Sequence, residues 1–342
     1  MVQNQIDIDK ELFEPAIIDS SKSEGTLKPS LNYWQDVWQR VRKNKGAIVS
    51  LVVVTFLVLL AFIGPFMSHY EYSRQKTPHA NLPPRIGAVE GISWLPFDGT
   101  RTLKDGTVVN PYQQKNIKDH YWFGTDNLGR DQFSRIWKGT QISLYIAFLA
   151  ALIDLVVGVA FGSISGFFGG RIDTFMQRII EILSGIPNLV VVILMIIVLK
   201  PGIISITAAL SITGWVSMAR VVRAQVLKLK NQEFVLAART LGASNSIIIF
   251  KHLLPNLAGV IIINTMFTIP NAIFFEAFLS FIGLGLQDPL ASLGTLIYDG
   301  FRSMHAFPHQ MLIPGIVISM MMIAFNMMAD GLRDALDPKM RD

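Results

Sequence analysis

Cysteine is absent from the 342 residues, which excludes structural disulfides, thiolate metal sites and cysteine nucleophiles. Charged residues are scarce, at 16% of the chain. No G-x-x-x-x-G-K-[ST] sequence is present, so ATP binding by a P-loop is excluded, and no H-E-x-x-H spacing indicates a zinc site. The sequence therefore predicts no catalytic residue, no metal site and no cofactor site in this chain, and indicates that it is not itself an enzyme.

Apolar sequence is what the chain has in abundance: 51% of its residues are hydrophobic and the mean hydropathy is +0.42. A helix of about 20 apolar residues crosses the roughly 30 Å hydrocarbon layer of a bilayer. The pattern predicts an all-α polytopic membrane protein with six transmembrane helices. We place them at Gly46–Met67, Gln141–Phe168, Ile179–Leu199, Gly202–Ala219, Leu257–Leu286 and Met311–Ala329.

The remaining segments complete the predicted organisation. Large apolar side chains recur at helical spacing beside several basic residues, which indicates an interfacial helix on the inner leaflet or, alternatively, a packed amphipathic helix. The apolar ones are Tyr33, Trp34, Val37, Trp38 and Val41, and the basic ones are Arg40, Arg42, Lys43 and Lys45. We divide the chain into a tail with this helix (1–45), the first span (46–67), an external loop subdomain (68–140), a transmembrane core (141–330) that contains a polar segment (233–255), and a C-terminal tail (331–342).

Lysine and arginine predict the orientation. Seven of them precede Gly46 and six lie between residues 220 and 256, whereas the two short loops of the opposite face carry only Lys200 and Arg302. Cytoplasmic loops of membrane proteins are enriched in these residues, so both termini are predicted to be cytoplasmic. The same topology explains the net charge of +5, and no basic cluster interleaved with aromatics indicates a nucleic-acid partner.

The predicted external loop has local order of its own. Residues Leu103–Val109 read as a hairpin with Asp105-Gly106 at the turn, and Trp94, Pro96 and Phe97 are expected to pack against it. Two interpretations stay open for this loop: a flap or docking surface for a substrate-delivering protein, or a cover that only stabilises the chain.

The polar segment between the fourth and fifth spans predicts a rigid elbow. Glu233 to Leu241 is built from good helix formers, and Gly242 suits the left-handed residue that ends a helix. Residues 243–245 offer a new N-cap, residues 246–254 a second helix, and Pro255 the first turn of the next one. The small side chains of Ala237 and Ala238 would let another protein approach the backbone closely.

This segment resembles the cytoplasmic coupling loop of ABC importer permeases, whose pattern is E-A-A, three residues, Gly, nine residues, I-x-L-P. Leu236 and His252 depart from that pattern, and the departures are similar to those of the oligopeptide/dipeptide branch. The resemblance implies that an ATPase contacts this segment at the positions of the pattern and beside them. Here these residues are Glu233, Ala237, Ala238, Arg239, Gly242, Leu254 and Pro255.

Further stretches resemble the same branch from about Phe123 to the C-terminal end. The segment F-G-T-D-x-x-G-R-D at 123–131 is expected to form a structural clasp, because Asp126, Arg130 and Asp131 can pair and Gly124 and Gly129 supply bends. The other matches are Gly166–Asp173 with Ile186-Pro187, Glu276–Gly285, and Phe325–Pro338.

The resemblance implies a set of partners in the bacterial cell membrane. These are a second homologous permease subunit, two cytoplasmic ABC ATPases that bind ATP and Mg²⁺, an extracellular substrate-binding protein, a peptide substrate, and membrane lipid. The implied mechanism is alternating access, in which the elbow moves as a lever when the ATPases close. Differential affinity of ATP for the two states must supply that shift.

Two carboxyl groups fall inside predicted spans, Asp154 in the second and Glu276 in the fifth. Charged groups in hydrocarbon are costly unless they face protein or water, so both are candidates for the translocation pathway. Each could instead fix helix packing through a hydrogen bond. The pair also supports an alternative class, a self-sufficient proton-coupled transporter, although the inverted repeats expected there are not visible. A receptor or scaffold would leave the small residues of the elbow unexplained.

Overall fold

The computed structural model describes residues 33–87, 97–103 and 105–336. Its helices are α1 (Tyr33–Lys43), α2 (Lys45–Met67), α3 (Pro111–Gln114), α4 (Gln132–Phe168), α5 (Gly170–Ser184), α6 (Asn188–Leu199), α7 (Ile203–Thr213), α8 (Trp215–Leu229), α9 (Glu233–Thr240), α10 (Asn245–Phe281), α11 (Leu293–Ser303) and α12 (His309–Leu336). Strands β1 (Arg101–Thr102) and β2 (Val108–Val109) pair antiparallel.

Within the described residues, five helical segments are long and apolar enough to cross a membrane: α2, α4, α7 with α8, α10 and α12. Helices α5 and α6 form a sixth span if the bent pair is counted as one. With that pair included, the six-helix prediction is confirmed. The first predicted span matches α2 to within one residue.

The third span departs from the prediction, which had an unbroken helix from Ile179 to Leu199. The chain instead bends by 81° between α5 and α6. Pro187 explains the break, because it lacks an N–H group and disfavours the helical conformation of the residue before it. The bend places Asn188, the first residue of α6, at the middle of a broken span.

Several predicted span boundaries were also wrong. Helix α4 begins at Gln132, nine residues before Gln141, because Asp131 caps it and its first turns are buried in protein rather than in lipid. The fifth span was predicted to run to Leu286, but α10 ends at Phe281 and Gly283 takes a positive φ of 84°. Apolar runs locate spans, whereas caps and glycines decide where the helices end.

Among the described residues, helices α4 and α8 share the most extensive helix contact. A Cβ added at Gly158 would lie 2.6 Å from Cβ of Met218, and one added at Gly162 would lie 2.5 Å from the carbonyl oxygen of Ala219. Gly166 continues the same face one turn later. The G-x-x-x-G-x-x-x-G spacing is the sequence signal for such an approach, and our prediction from the sequence overlooked it.

The N-terminal helix α1 packs on protein, as the amphipathic alternative predicted, and its place at the membrane surface stays a prediction. Val37 and Val41 pack against Ala335 and Leu336 at the end of α12, while the other face exposes two tryptophans. On that exposed face, the Arg42 guanidinium lies 5.1 Å from the centre of the Trp38 ring. An apolar face packed on protein and an aromatic face left open are typical of a helix at a membrane surface.

The described residues between 68 and 131 form a small subdomain that includes the two strands of the predicted hairpin. The amide of Leu103 donates to Thr107 O at 2.8 Å, and Gly106 has a φ of 84° at the turn. Trp94 and Pro96, which were expected to pack against the hairpin, lie outside the described residues. Leu82, Tyr112 and Tyr121 form the apolar centre of the subdomain.

Candidate functional site

The elbow, residues 233–255, begins with α9, which follows α8 after a three-residue link. Gly242 has a φ of 81°, so the predicted left-handed bend is confirmed. Ser244 is the cap of the following helix, since its side chain accepts the amide of Ile247 at 3.4 Å. Two helices therefore meet at a sharp turn that only glycine adopts without strain.

The second helix of the elbow was predicted to end at Leu254, with Pro255 opening the next helix, but no break separates the two. Helix α10 runs unbroken from Asn245 to Phe281, with a π-helical stretch at Ile248–Leu253. Pro255 has no N–H to donate, and the wider turn before it lets the amide of Leu254 bond to Ile249 O five residues back. Leu254 and Pro255 consequently belong to a continuous transmembrane helix.

The two alanines of the elbow differ. Ala237 is exposed, whereas Ala238 is only 8% exposed and its carbonyl accepts the amide of Ala243 at 3.0 Å. The expectation that both face a partner is therefore wrong for Ala238, which packs within this chain beside the buried Val235. Its small size is needed for the turn itself.

Leu241, which was not predicted as a site residue, is the most exposed large apolar side chain of the elbow. It is 88% exposed, directly before the glycine turn, and Glu233 and Arg239 are exposed on the same short helix. A large apolar residue directly before the glycine of the predicted turn was the available signal. The elbow thus exposes an apolar side chain at its turn, together with charged residues of the preceding helix.

A polar network joins α4, α5 and α8 directly before the elbow. The Arg223 guanidinium donates to both carboxylate oxygens of Asp173 at 2.6 Å, and Ser165 also donates to that carboxylate. Lys230 donates to Gly166 O at 2.8 Å. These residues join the end of α4, the start of α5 and the end of α8, so the chain entering the elbow is held at several points.

In the membrane core, a cavity of about 280 Å³ lies between α4, α6, α7, α8 and α10. Asp154 lines it and is 5% exposed. The other polar side chains in its lining belong to Asn188, Thr213, Ser217, Asn264, Thr268 and Asn271. Such a set of amides and hydroxyls around one carboxyl is what a hydrated path for a polar solute requires.

Glu276, the other candidate, occupies a different environment. Its side chain is completely buried and accepts hydrogen bonds at 2.8 Å from Ser143 of α4 and from Ser280. It is not among the residues that line the cavity. This geometry favours the packing interpretation, in which the carboxyl joins α10 to α4.

The clasp, residues 121–135 together with Asp288, closes the opposite end of the core. Arg130 is buried and donates at 2.6 Å to both Asp126 and Asp288. Burial opposes its charge, but the two carboxylates outweigh burial and raise the pKa of Arg130. Asp131 instead caps α4, accepting the amide of Ser134 at 2.9 Å, and its burial raises the pKa of its carboxyl.

The predicted pairing is thus confirmed for Asp126 and Arg130, whereas Asp131 caps α4 instead, and the link to Asp288 is an addition that the sequence did not indicate. The part of the chain that the structure describes contains no group of three or more His, Asp or Glu side chains placed to hold a metal ion.

The chain is similar to known transport proteins along almost its full length. The family described as N-terminal TM domain of oligopeptide transport permease C matches residues 32–84. The oligopeptide transport system permease protein OppC of Bacillus subtilis (strain 168) is 45% identical over 334 residues, covering 98% of this chain and 99% of that protein. The dipeptide transport system permease protein DppC of Lactococcus lactis subsp. cremoris (strain MG1363) is 44% identical over 329 residues, covering 94% of each.

A solved structure of the MetNI methionine ABC transporter in an inward-facing conformation shares the fold. It has a TM-score of 0.50 and 17% identity, over 59% of this chain and 96% of that one. The family described as binding-protein-dependent transport system inner membrane component matches residues 158–342, which include α5 to α12, the elbow and most of the cavity lining. This chain is a member of that family of inner-membrane transport components.

Proposed function

We propose that this chain is one of two permease subunits of an ABC importer for oligopeptides or dipeptides in the bacterial inner membrane. Its partners are a second homologous permease, two cytoplasmic ATPases that bind ATP and Mg²⁺, and an extracellular substrate-binding protein. The chain itself carries out no hydrolysis. Peptides are the proposed cargo because the relatives that match nearly the whole chain are named for oligopeptide and dipeptide transport.

One observation supports the proposal most directly: a single helix joins the elbow to the cavity. Asn245 begins α10 at the elbow, and Asn264, Thr268 and Asn271 of the same helix line the cavity. At 1.5 Å per residue, Asn245 and Asn271 are roughly 40 Å apart along the helix axis. A partner that moves the elbow therefore moves the cavity wall, which is the coupling that alternating access needs.

The elbow is the proposed ATPase contact. Leu241 enters an apolar pocket of the partner, Ala237 permits close approach of the backbone, and Glu233 and Arg239 lie at the charged rim. Ala238, Gly242, Leu254 and Pro255 act indirectly, since they shape the turn and the start of α10.

Reconstitution of the complete complex in vesicles tests this function. Gly242→Val adds a side chain where the backbone φ is 81° and no atom lies within 4 Å, so its effect is backbone strain alone. We expect lost ATPase subunits, or hydrolysis that substrate no longer stimulates. Gly283→Val is the matched control, because Gly283 has a φ of 84°, equal open space and a position at the far end of α10.

Equal loss of stimulated hydrolysis in both variants would contradict a specific role of the elbow. Peptide uptake that proceeds on a proton gradient without ATP would instead support the proton-coupled transporter.

We also propose that both termini are cytoplasmic. Because the chain has no cysteine, Asp105→Cys and Ser244→Cys each introduce a single thiol. A membrane-impermeant thiol reagent is expected to label position 105 in intact cells and to spare position 244 until the cells are permeabilised. Labelling of position 244 in intact cells would reject this orientation.

A further inference from the structure

Asp154 has an unmet hydrogen-bonding capacity within the cavity. Among the described residues, its Oδ1 atom has no hydrogen-bond partner, although Asp154 is only 5% exposed. Both carboxyl oxygens lie 2.6 Å from the position that a Cβ of Gly214 would occupy. Buried polar atoms are almost always paired, so an unpaired carboxyl oxygen beside a cavity needs an explanation.

The charge of the cavity indicates what would satisfy this carboxyl. Among the described residues that line the cavity there is no lysine, arginine or histidine, so no cation of this chain faces Asp154 there. The remaining polar groups are hydroxyls and amides, which can both donate and accept. The Asn264 amide nitrogen donates to Val260 O and the Thr268 hydroxyl donates to Asn264 O, so the side-chain oxygens of these two residues are left to accept. A carboxyl group surrounded by acceptor oxygens favours a ligand that is positively charged and donates several hydrogen bonds.

Glu276 shows that the fold satisfies a buried carboxyl where a structural role is enough. Two serine hydroxyls donate to it, one from its own helix and one from α4. Asp154 faces Gly214, which has no side chain, and two flanking polar residues, Thr213 and Ser217, line the cavity instead of bonding to it. The Asp154 carboxyl thus fills the space over Gly214, and the cavity that it lines is where a partner for its unpaired oxygen would fit.

We propose that Asp154 and the surrounding oxygens form a subsite for a protonated amine, which receives the amino-terminal ammonium of the peptide during passage. This inference rests on the proposed function for the identity of the cargo. An ammonium group donates three hydrogen bonds, one to Asp154 and the others to side-chain oxygens such as those of Thr213 and Asn264. Asp154 is then a specificity residue of the pathway.

The size of the cavity limits the subsite to one end of the substrate. Ligand pockets for complete small molecules typically measure about 300–1,000 Å³, and this cavity of about 280 Å³ is below that range. It holds the amino terminus and the adjacent atoms of a peptide. The rest of the peptide, with its carboxylate, lies in the half of the path that the second permease supplies.

Charged thiol reagents measure the proposed preference without any transport. Ser217→Cys places a single thiol in the cavity wall of the cysteine-free chain, in a complex whose other subunits lack reactive cysteines. Val108→Cys, on the exposed hairpin, gives the intrinsic rate ratio of the two reagents. Relative to that ratio, position 217 should react about tenfold faster with an ammonium methanethiosulfonate than with a sulfonate one.

Asp154→Asn should abolish this preference, and Glu276→Gln should leave it unchanged. No preference at position 217, or one that survives Asp154→Asn, would overturn the proposal. If Asp154→Asn prevents assembly of the complex, Asp154→Glu replaces it: the charge is kept, so the preference must persist. Loss of the preference in Asp154→Glu would equally overturn the proposal.

Protection experiments identify the source of the amine. Dialanine amide, which has a free amino terminus, should slow labelling of position 217, and its N-acetylated counterpart should not. Protection of equal strength by potassium ions or by both peptides would overturn the assignment to a peptide amino terminus.

In transport assays, Asp154→Asn should lower peptide uptake about tenfold while the Glu variant retains most of it. If the wild-type vesicles take up no peptide, the proposed function fails, yet the reagent preference still tests the subsite. If they take up peptide and Asp154→Asn does so equally, the subsite fails and the proposed function stands.

Discussion

The clasp and the elbow lie at opposite ends of the transmembrane core and differ in how far their own chain buries their central side chain. In the clasp, Arg130 is buried and its charge is matched by Asp126 and Asp288 of the same chain. At the elbow, Leu241 is 88% exposed and contacts little of its own chain. The buried charge of Arg130 is paired within its own chain, whereas Leu241 is left exposed by its own chain, in line with the ATPase contact that we propose.

The comparison indicates where the chain depends on other proteins. A buried ion pair holds a geometry because the loss of one member leaves an uncompensated charge. An exposed apolar tip stabilises nothing in the free chain, so selection for it must act through a complex. Four measurements test this distinction, from the largest expected effect to the smallest.

Arg130→Met removes the charge of the clasp while it keeps most of the side-chain volume. Buried Asp126 would keep only its longer contact to Arg135, at 3.6 Å, and loss of one member of a buried ion pair typically destabilises a protein by about 3–5 kcal/mol. Thermal unfolding of the purified complex measures the effect. Arg178→Ala is the control, since its pair with Glu181 is exposed and contributes under about 1 kcal/mol. Equal losses in both variants would remove the proposed contrast.

Leu241→Ala tests the elbow without disturbing the fold of the chain. Full burial of a leucine side chain in a partner stabilises a complex by about 1.5–3 kcal/mol, so the ATPases should bind roughly ten- to a hundredfold more weakly. Phe66→Ala is the control, because Phe66 is 87% exposed at the other end of the core. Co-purified ATPase per permease is the readout, and unchanged binding in Leu241→Ala would contradict the proposal.

Gly162→Ala tests the packed connection between the two ends. The added Cβ would lie 2.5 Å from the carbonyl oxygen of Ala219, so α4 and α8 must separate, and overpacking of this kind costs about 1–3 kcal/mol. Gly315→Ala on α12 meets no atom within 4 Å and should be neutral or slightly stabilising. Melting temperatures of the two variants decide whether the close contact matters.

The smallest expected effect is a pH dependence in the subdomain next to the clasp. Burial lowers the pKa of His79. The positive charges of Lys76 and Lys115 lower this pKa further, and the negative charge of Asp119 acts in the opposite direction. The unfolded chain therefore binds a proton at this residue at higher pH than the folded one does, and stability rises with pH across that interval. Its contribution is complete above about pH 6.5 and is lost as the pH falls below that value.

His79→Asn should reduce the decrease in melting temperature between about pH 7.5 and about pH 5.5. His79 bonds to the Tyr121 hydroxyl at 2.7 Å, so the comparison is between slopes rather than between absolute melting temperatures. An identical slope in the variant and the wild type would contradict the assigned direction.

The amino-acid sequence by itself determined the class of the protein and much of its outline. Long apolar runs require a membrane, because hydrocarbon accepts only backbones that satisfy their own hydrogen bonds. Gly242 and Gly106 mark turns that need a positive φ, and both were predicted from local sequence. The clasp was also predictable in part, since Asp126 and Arg130 are only four residues apart.

Only the tertiary structure decided which neighbours the polar and small residues contact and which of these residues are buried. Arg130 meets Asp288 across 158 positions, and Ala238 rather than Ala237 turns inward. Asp154 and Glu276 look alike in sequence, yet one lines a cavity and the other is bonded to two serines. Periodicity reveals the local helix but not the neighbour opposite each side chain, and burial, pairing and access depend on that neighbour.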